Sequence, residues 1–318
     1  MSRSLRSVTL AVAGVFVLAL PAAHQARAQD AEAAPTVAKK PSAKKPSSPA
    51  PRPLKEIRAD VREAARTYAD ARLEALVKEL AGRVEAKPEL TTQRAWLRAT
   101  FHWANLLRYR RTLEEHPDGS AFKDRQIELA SKAEDVVEKL TEKHPKDVDL
   151  RVLRGEFIAL QISGPNGALL GPRAATQIEK ALELAPSDPN AHLASGRRYM
   201  YTPGAFGGSD SKGLKHLKAA EKTLNGRERE AIKARRGKVL EGVKDNAEKI
   251  VRMRALVAQV RREVWGAYEE VLVQLAVVYR RLGRDRRARV ALKRALATNP
   301  DSQAATLLLA RLDGATSK

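Results

Sequence analysis

The 318-residue chain carries 59 Lys or Arg against 38 Asp or Glu, a formal net charge of +21, and no cysteine. Disulfides, thiol nucleophiles and cysteine-ligated metal sites are thereby excluded. Aromatics are only 4% of the residues, and the Ala, Leu, Arg, Lys, Glu and Val that dominate favour helices because they lose little rotamer freedom there.

In chain order, residues 1–6 are a short basic start, residues 7–20 are an apolar run of 14 residues, and residues 23–28 end in small side chains. This order reads as a secretory signal (1–28) cleaved after Ala28. The run is shorter than the ~20 residues that span a bilayer comfortably. No cysteine follows it, so no lipid anchor is expected, and the mature chain is expected in a bacterial periplasm. Residues 29–53 alternate Ala, Pro, Lys and Ser with almost nothing to bury. They are expected to form an extended, disordered linker.

From Leu54 to about residue 314, helical patterns alternate with short Pro, Gly and Asp punctuation, and no period-2 strand appears. The clearest unit spans 269–302. Leu272, Leu275, Ala276 and Tyr279 share one face of a first helix, Gly283 breaks it, and Ala288, Leu292 and Ala295 line a second that stops at Asn299-Pro300. Small residues at Ala276, Ala288 and Ala295 suit two helices that cross closely. A looser copy covers 174–224, with Ala174, Ile178, Ala181 and Pro186, then Gly196 and Tyr199, then Gly213, Leu217 and Ala220. Trp96, Ala99 and Trp103, followed by Ala133, Val137, Leu140 and Pro145, make a similar pair upstream. This 34-residue spacing and its landmarks resemble the tetratricopeptide repeat (TPR), with Leu272 where the family usually has tryptophan. The resemblance implies an all-α, TPR-like solenoid of stacked antiparallel helix pairs that binds a partner along its concave face.

Two stretches depart from the repeat. Tyr201–Gly213, YTPGAFGGSDSKG, has the glycines and the lysine of a phosphate loop, but no strand precedes it and Gly213, not a hydroxyl residue, follows Lys212. It reads instead as a stretched turn: Pro203 ends a helix, Gly207 and Gly208 permit positive φ, Ser209 or Asp210 caps the next helix, and Phe206 is expected to plug the turn onto its neighbours. TPGAFGG is also similar to a loop of exported bacterial TPR proteins and of the T-component of TRAP transporters. Residues 227–264 carry a heptad-like stripe, Ile232, Val239, Met253 and Val260, interrupted by Asn246, beside a second one of Val243, Ile250, Val257 and Val264. Two readings stay open for this insertion. One is a coiled-coil contact with another chain in which Asn246 sets the register; the other is a long helix or helical hairpin packed on its own solenoid.

No nucleophile turn, dinucleotide fingerprint or metal-spaced histidine pair occurs. His116 and His144 precede prolines at helix ends, and His102, His192 and His216 lie on helices. Catalysis, a cofactor and a metal are therefore not expected. The function these features imply is a non-catalytic exported scaffold that binds another protein or peptide in the cell envelope. Its groove is expected to be lined by Asn190, Leu193, Arg197, Val273, Val277, Arg280 and Arg281, and self-association stays open. The Lys and Asn pattern with which TPR proteins clamp a C-terminal carboxylate is not recognisable. The competing reading rests on charge, since residues 209–294 hold 24 basic against 11 acidic side chains. There an anionic envelope polymer would meet Arg280, Arg281, Arg284, Arg286, Arg287 and Arg289. Nucleic acid is not expected, because few aromatics interleave with the cations for base stacking and the signal takes the chain away from it.

Overall fold

A computed structural model describes residues 52–113, 119–266 and 269–314. The signal at 1–28 and all but the last two residues of the 29–53 linker lie outside the described residues. Helices are the only regular elements among those described: α1 Leu54–Arg66, α2 Asp70–Ala86, α3 Leu90–Leu113, α4 Gly119–Lys143, α5 Val148–Leu160, α6 Gly167–Leu184, α7 Pro189–Tyr201, α8 Asp210–Leu240, α9 Asn246–Val264, α10 Glu270–Arg281, α11 Asp285–Thr298 and α12 Gln303–Gly314. Neighbouring helices pair, α3 on α4, α5 on α6, α7 on α8 and α10 on α11, whereas α10 packs on α8 across the intervening α9.

One local device recurs where a second helix hands over to the next first helix. Pro145-Lys146-Asp147, Pro186-Ser187-Asp188 and Pro300-Asp301-Ser302 each place a proline, which favours ending a helix, two residues before a capping oxygen. Asp147 Oδ1 accepts from the Leu150 amide at 3.1 Å, Asp188 Oδ1 from those of Asn190 and Ala191 at 3.0 and 2.8 Å, and Ser302 Oγ from that of Ala305 at 3.3 Å. Each turn satisfies orphan donors of the helix it opens.

Within a pair, glycine sets the distance of approach. A Cβ on Gly196 of α7 would lie 2.8 Å from Leu217 Cγ and 3.3 Å from the Gly213 carbonyl oxygen of α8. A Cβ on Gly155 of α5 would lie 2.7 Å from Ile178 Cγ1 and 3.1 Å from the Ala174 carbonyl oxygen of α6. Two helices can therefore meet backbone to backbone only where the side chain is a hydrogen.

The stack closes on itself. First helices α3, α5, α7 and α10 contact one another in turn, and α12 packs against α3. The turn after α1 meets the turn after α11: Arg66 Nη1 donates to Asn299 Oδ1 at 3.2 Å, Asn299 Nδ2 donates to the Arg66 carbonyl at 3.1 Å, and Arg66 pairs with Asp301 at 2.5 Å.

The two irregular stretches follow the sequence expectations in outline and depart from them at Phe206 and at the start of the insertion. The phosphate-loop lookalike is a turn in which a 3₁₀ segment, Gly204–Phe206, leads to Gly207 at φ 88°, and Ser209 caps α8 by accepting from the Lys212 amide. Phe206, expected to plug this turn, is 71% exposed. The insertion has no boundary at 227, because α8 runs unbroken through it to Leu240 and turns at Gly242, φ 72°, into α9. It is a hairpin. Asn246 is the first residue of α9, so the interruption of the heptads marks a turn, and a register-setting place inside a coiled coil is ruled out. Glu228 pins the base of this hairpin, accepting from Arg261 Nε and Trp265 Nε1, both at 2.8 Å.

These contacts separate glycines that resemble each other in sequence. Gly196→Ala is expected to lower unfolding free energy by ~1–3 kcal/mol through overpacking, despite its gain in helix propensity. Gly237→Ala, with open space around its Cβ inside α8, is expected to raise it by ~0.5–1 kcal/mol. Urea midpoints of the two variants check both signs.

Candidate functional site

The first helices enclose a cavity of about 570 Å³. Its walls are Arg58, Val61 and Arg62 of α1, Ala95, Arg98, Phe101 and His102 of α3, Val152, Leu153 and Glu156 of α5, and Asn190, Leu193 and Arg197 of α7. Trp265, Glu270 and Val271 also line it, as do Arg94 and Leu224. The cavity therefore sits towards the N-terminal ends of α5, α7 and α10.

Its floor is a buried ionic cluster. Arg197, 5% exposed, donates to Glu156 Oε1 of α5 at 2.5 Å and to Glu270 Oε1 of α10. The same Glu270 oxygen accepts from Asn105 Nδ2 at 3.1 Å and from the Tyr109 hydroxyl at 3.0 Å, both on α3. Arg108 stands 3.8 Å from it. Gln274 Nε2 then donates to the Tyr109 oxygen at 3.1 Å, and the Tyr201 hydroxyl donates to Gln274 Oε1 at 3.0 Å. Four helices are joined by one polar chain. Burial opposes ionisation of Glu270, yet Arg197 and Arg108 hold its carboxyl below the ordinary carboxylate value. Burial likewise works against the Arg197 charge, but Glu156 and Glu270 outweigh it and raise its pKa.

The rim is charged and mostly paired. Arg98 meets Asp149 at 2.8 Å, Arg94 bonds the α5 cap Asp147, and Arg58 Nη2 donates to the Thr91 carbonyl at 2.9 Å. His102 is pushed down to about 4 by burial and by Arg98, so it is neutral at pH 7. Across α7 and α8, His192 Nε2 is 2.9 Å from the Pro186 carbonyl, which makes it the donor there. His192 Nδ1 is then the acceptor towards His216 Nδ1 at 3.0 Å. His216 is held at about 4, by burial first and then by His192. No group of three or more His, Asp or Glu is arranged for a metal ion among the described residues.

Of the groove residues expected from sequence, Asn190, Leu193 and Arg197 line the cavity together. Arg197 is engaged by two carboxylates and does not face a partner as a spare cation. Val273 is a core residue at 1% exposure, and Val277 packs half-buried against the core. The reason is that α10 is covered by α7, α8 and α11, so only its first residues, Glu270 and Val271, reach the cavity. Arg280 is exposed, and Arg281 is tied to the Met200 carbonyl and to Asp210 at 3.3 Å. Among the polyanion candidates, Arg284, Arg286 and Arg287 are exposed, whereas Arg289 donates to Asp313 and to the Leu312 carbonyl, both at 2.9 Å. Sequence reasoning missed Asn105, Tyr109, Glu156 and Glu270. The available signal was a glutamate embedded among apolar neighbours, as in GEFIAL and EEVLVQLAVV.

Glu269, just before α10, is fully buried at φ 45° beside the joined turns. Ser302 and Asn299 lie near its carboxyl, but neither oxygen has a hydrogen bond of good geometry, and burial pushes it up to about 8. A folded-state pKa above the ordinary 4.5 stabilises the fold most below pH 4.5, and that contribution is lost as pH rises through about 8. Glu269→Gln is therefore expected to flatten the fall in melting temperature between about pH 4.5 and 8. The cluster gives a second expectation: Arg197→Met removes the cation shared by two buried carboxylates, leaving Glu156 unpaired and Glu270 with Arg108 alone, and costs ~3–5 kcal/mol, and adding Glu156→Gln and Glu270→Gln recovers much of the loss. Denaturant titration of the single and triple variants measures it.

Residues 269–312 match the family model described as a tetratricopeptide repeat. No curated protein matches the sequence. Among solved structures, the chain is similar to a thermophilic TPR protein of Thermus thermophilus at 15% identity and a TM-score of 0.44, over 82% of this chain and 100% of that one. It is also similar to the Cut9–Hcn1 hetero-tetramer of the APC/C at 14% identity and a TM-score of 0.19, over 76% of this chain and 52% of that one. The matched repeat lies in α10–α12, and the helix pairs α5–α6 and α7–α8 before it have close glycine crossings and are entered through proline turns of the same kind.

Proposed function

We propose that this protein is a non-catalytic scaffold, exported to the bacterial cell envelope, that holds a segment of a partner protein in the cavity enclosed by its first helices. The observation that carries the reading is the cavity itself. Its size falls within the range of ligand sites, and apolar side chains such as Val61, Phe101, Leu153 and Leu193 alternate in its lining with charged and polar ones such as Arg62, Arg98 and Asn190. Stacked helix pairs present such a surface generally. Export rests on the basic, apolar and small-residue order of residues 1–28.

The polyanion reading keeps one observation of its own. Arg284, Arg286 and Arg287 cluster, exposed, at the start of α11, and none forms an ion pair with a described residue. Binding through them would weaken steeply with salt, whereas a packed protein interface largely survives it.

A photo-crosslinking side chain at Asn190, on the cavity rim, is expected to capture a specific envelope protein at low and high salt. The same group at Val290, 55% exposed on α11, is expected to capture none. Crosslinks of equal pattern at both positions overturn the cavity assignment. Retention on polyphosphate that is abolished by salt and by Arg286→Glu with Arg287→Glu, without Asn190 crosslinks, favours the alternative. Mass spectrometry of the native protein is expected to place its first residue at Gln29, and an intact cytoplasmic chain overturns export.

A further inference from the structure

The α8–α9 hairpin carries a second surface, none of whose residues lines the interior cavity. Beyond Glu228, α8 buries nothing, and α9 buries only Leu256 and Val260 as it returns. Between them lies an open groove of about 540 Å³, floored by Leu240, Ile250, Met253 and Val257, with Ala297 of α11 contributing. Ile250, at 53% exposure, sits in it beside Val251 at 64%. The rim is Arg236, Lys249 and Arg254, and none of these forms an ion pair with a described residue. Residues 227–264 hold 12 basic and 6 acidic side chains. Of the six acids, Glu228, Glu248 and Glu263 already pair with Arg261, Arg252 and Arg235, and Asp245 caps α9. No described residue of this chain pairs with the rim cations.

We propose that this groove receives an amphipathic α-helix with an acidic flank, supplied by a partner protein. Ile250, Met253 and Val257 recur at helical spacing along α9, and the facing Leu240 of α8 completes an apolar trough between two helices. A third helix covers such a trough by setting its own i, i+3, i+4, i+7 side chains into it. Carboxylates flanking that stripe would meet Arg236, Lys249 and Arg254. Charge complementarity selects this occupant over a second copy, which in a two-fold pairing would set the same three cations against themselves. It is also favoured over a lipid surface, because the apolar residues form a trough and no aromatic residue lines it, whereas interfacial binding uses a convex face with Trp or Phe.

The test uses the full chain and fluorescent designed helices of about 18 residues, ~27 Å long, with Leu at i, i+3, i+4 and i+7. One peptide carries Glu on the flanks and its twin carries Lys. The Glu peptide is expected to bind, and the Lys peptide not to. Lys249→Glu with Arg254→Glu, at a half-buried and an exposed position and with retention of the fold checked by circular dichroism, is expected to weaken the Glu peptide about tenfold or more and to admit the Lys peptide. Ile250→Asp is expected to abolish binding of the Glu peptide. Asn190 variants should leave this binding unchanged, so failure here and failure of the cavity reading are separate results. Equal binding of the two peptides, no binding of the Glu peptide, or indifference to the charge reversal overturns the proposal. Phosphatidylglycerol vesicles bound in place of the peptide, or a dimer in light scattering that Ile250→Asp dissolves, overturns it in favour of a membrane surface or a second copy.

Discussion

Glu270 is where this solenoid becomes a closed body. A single carboxylate oxygen accepts from Arg197 on α7 and from Asn105 and Tyr109 on α3, residues separated from it by 73, 165 and 161 positions. In an open stack of helix pairs each repeat touches only its neighbours. Here the second pair and the last full pair share a ligand for the same charge. An uncompensated carboxylate in that position would cost several kcal/mol in desolvation, so α3, α7 and α10 are held to the geometry that satisfies it. Glu156 completes the balance from α5. The cluster stabilises little compared with an apolar core of the same shape; what it specifies is which helices meet.

The cavity follows from that constraint. Once Glu270 ties α10 to α3, the first helices are drawn around a common space, which becomes a pocket with a floor and a rim. The polar floor leaves few donors to spare, since Arg197 and Glu270 are already engaged. Recognition then falls to the upper wall, where Asn190, Leu193, Phe101 and the half-exposed arginines Arg98 and Arg94 stand. Asp147 shows how tightly the scheme is drawn. It caps α5 through one oxygen and holds Arg94 through the other.

Much of this fold is legible from local chemistry, because local chemistry makes the helices. Pro145, Pro186 and Pro300 with their capping Asp or Ser mark the handovers, and Gly196 facing Gly213 marks a crossing. What is not legible depends on the distance between residues far apart in sequence. Glu156 and Glu270 stand among apolar neighbours in sequence, but no local signal tells that α7 brings Arg197 between them. Val273 reads as a groove residue until α10 is seen to be covered on its remaining sides. Phe206 reads as a plug because large aromatics are usually buried, yet the turn closes by backbone alone. The Ser209 amide donates to the Tyr199 carbonyl at 2.8 Å, and the Gly208 amide to that of Pro203 at 3.2 Å. The hairpin reads as heptads because α8 and α9 each carry a stripe that the turn at Gly242 brings into apposition.

The excess of positive charge acquires a location from the same facts. Acidic groups are spent inside: Glu156 and Glu270 on Arg197, Glu228 on Arg261 and Trp265, and Glu134 on Arg173 at 3.2 Å. A buried carboxylate can neutralise an arginine that the fold has brought to it, but it offers nothing to a cation on the outer surface. A chain that commits acids to its interior while carrying 59 basic residues must therefore show its surplus outside. It does so at the start of α11 and along the α8–α9 hairpin, the segments farthest from the Glu270 cluster in their use of charge. At α11 the surplus lies on a plain polar face, where salt screens it readily. Around Ile250 and Met253 it frames exposed apolar surface, and cations that frame an apolar trough give an incoming acidic helix both its orientation and the reason to desolvate.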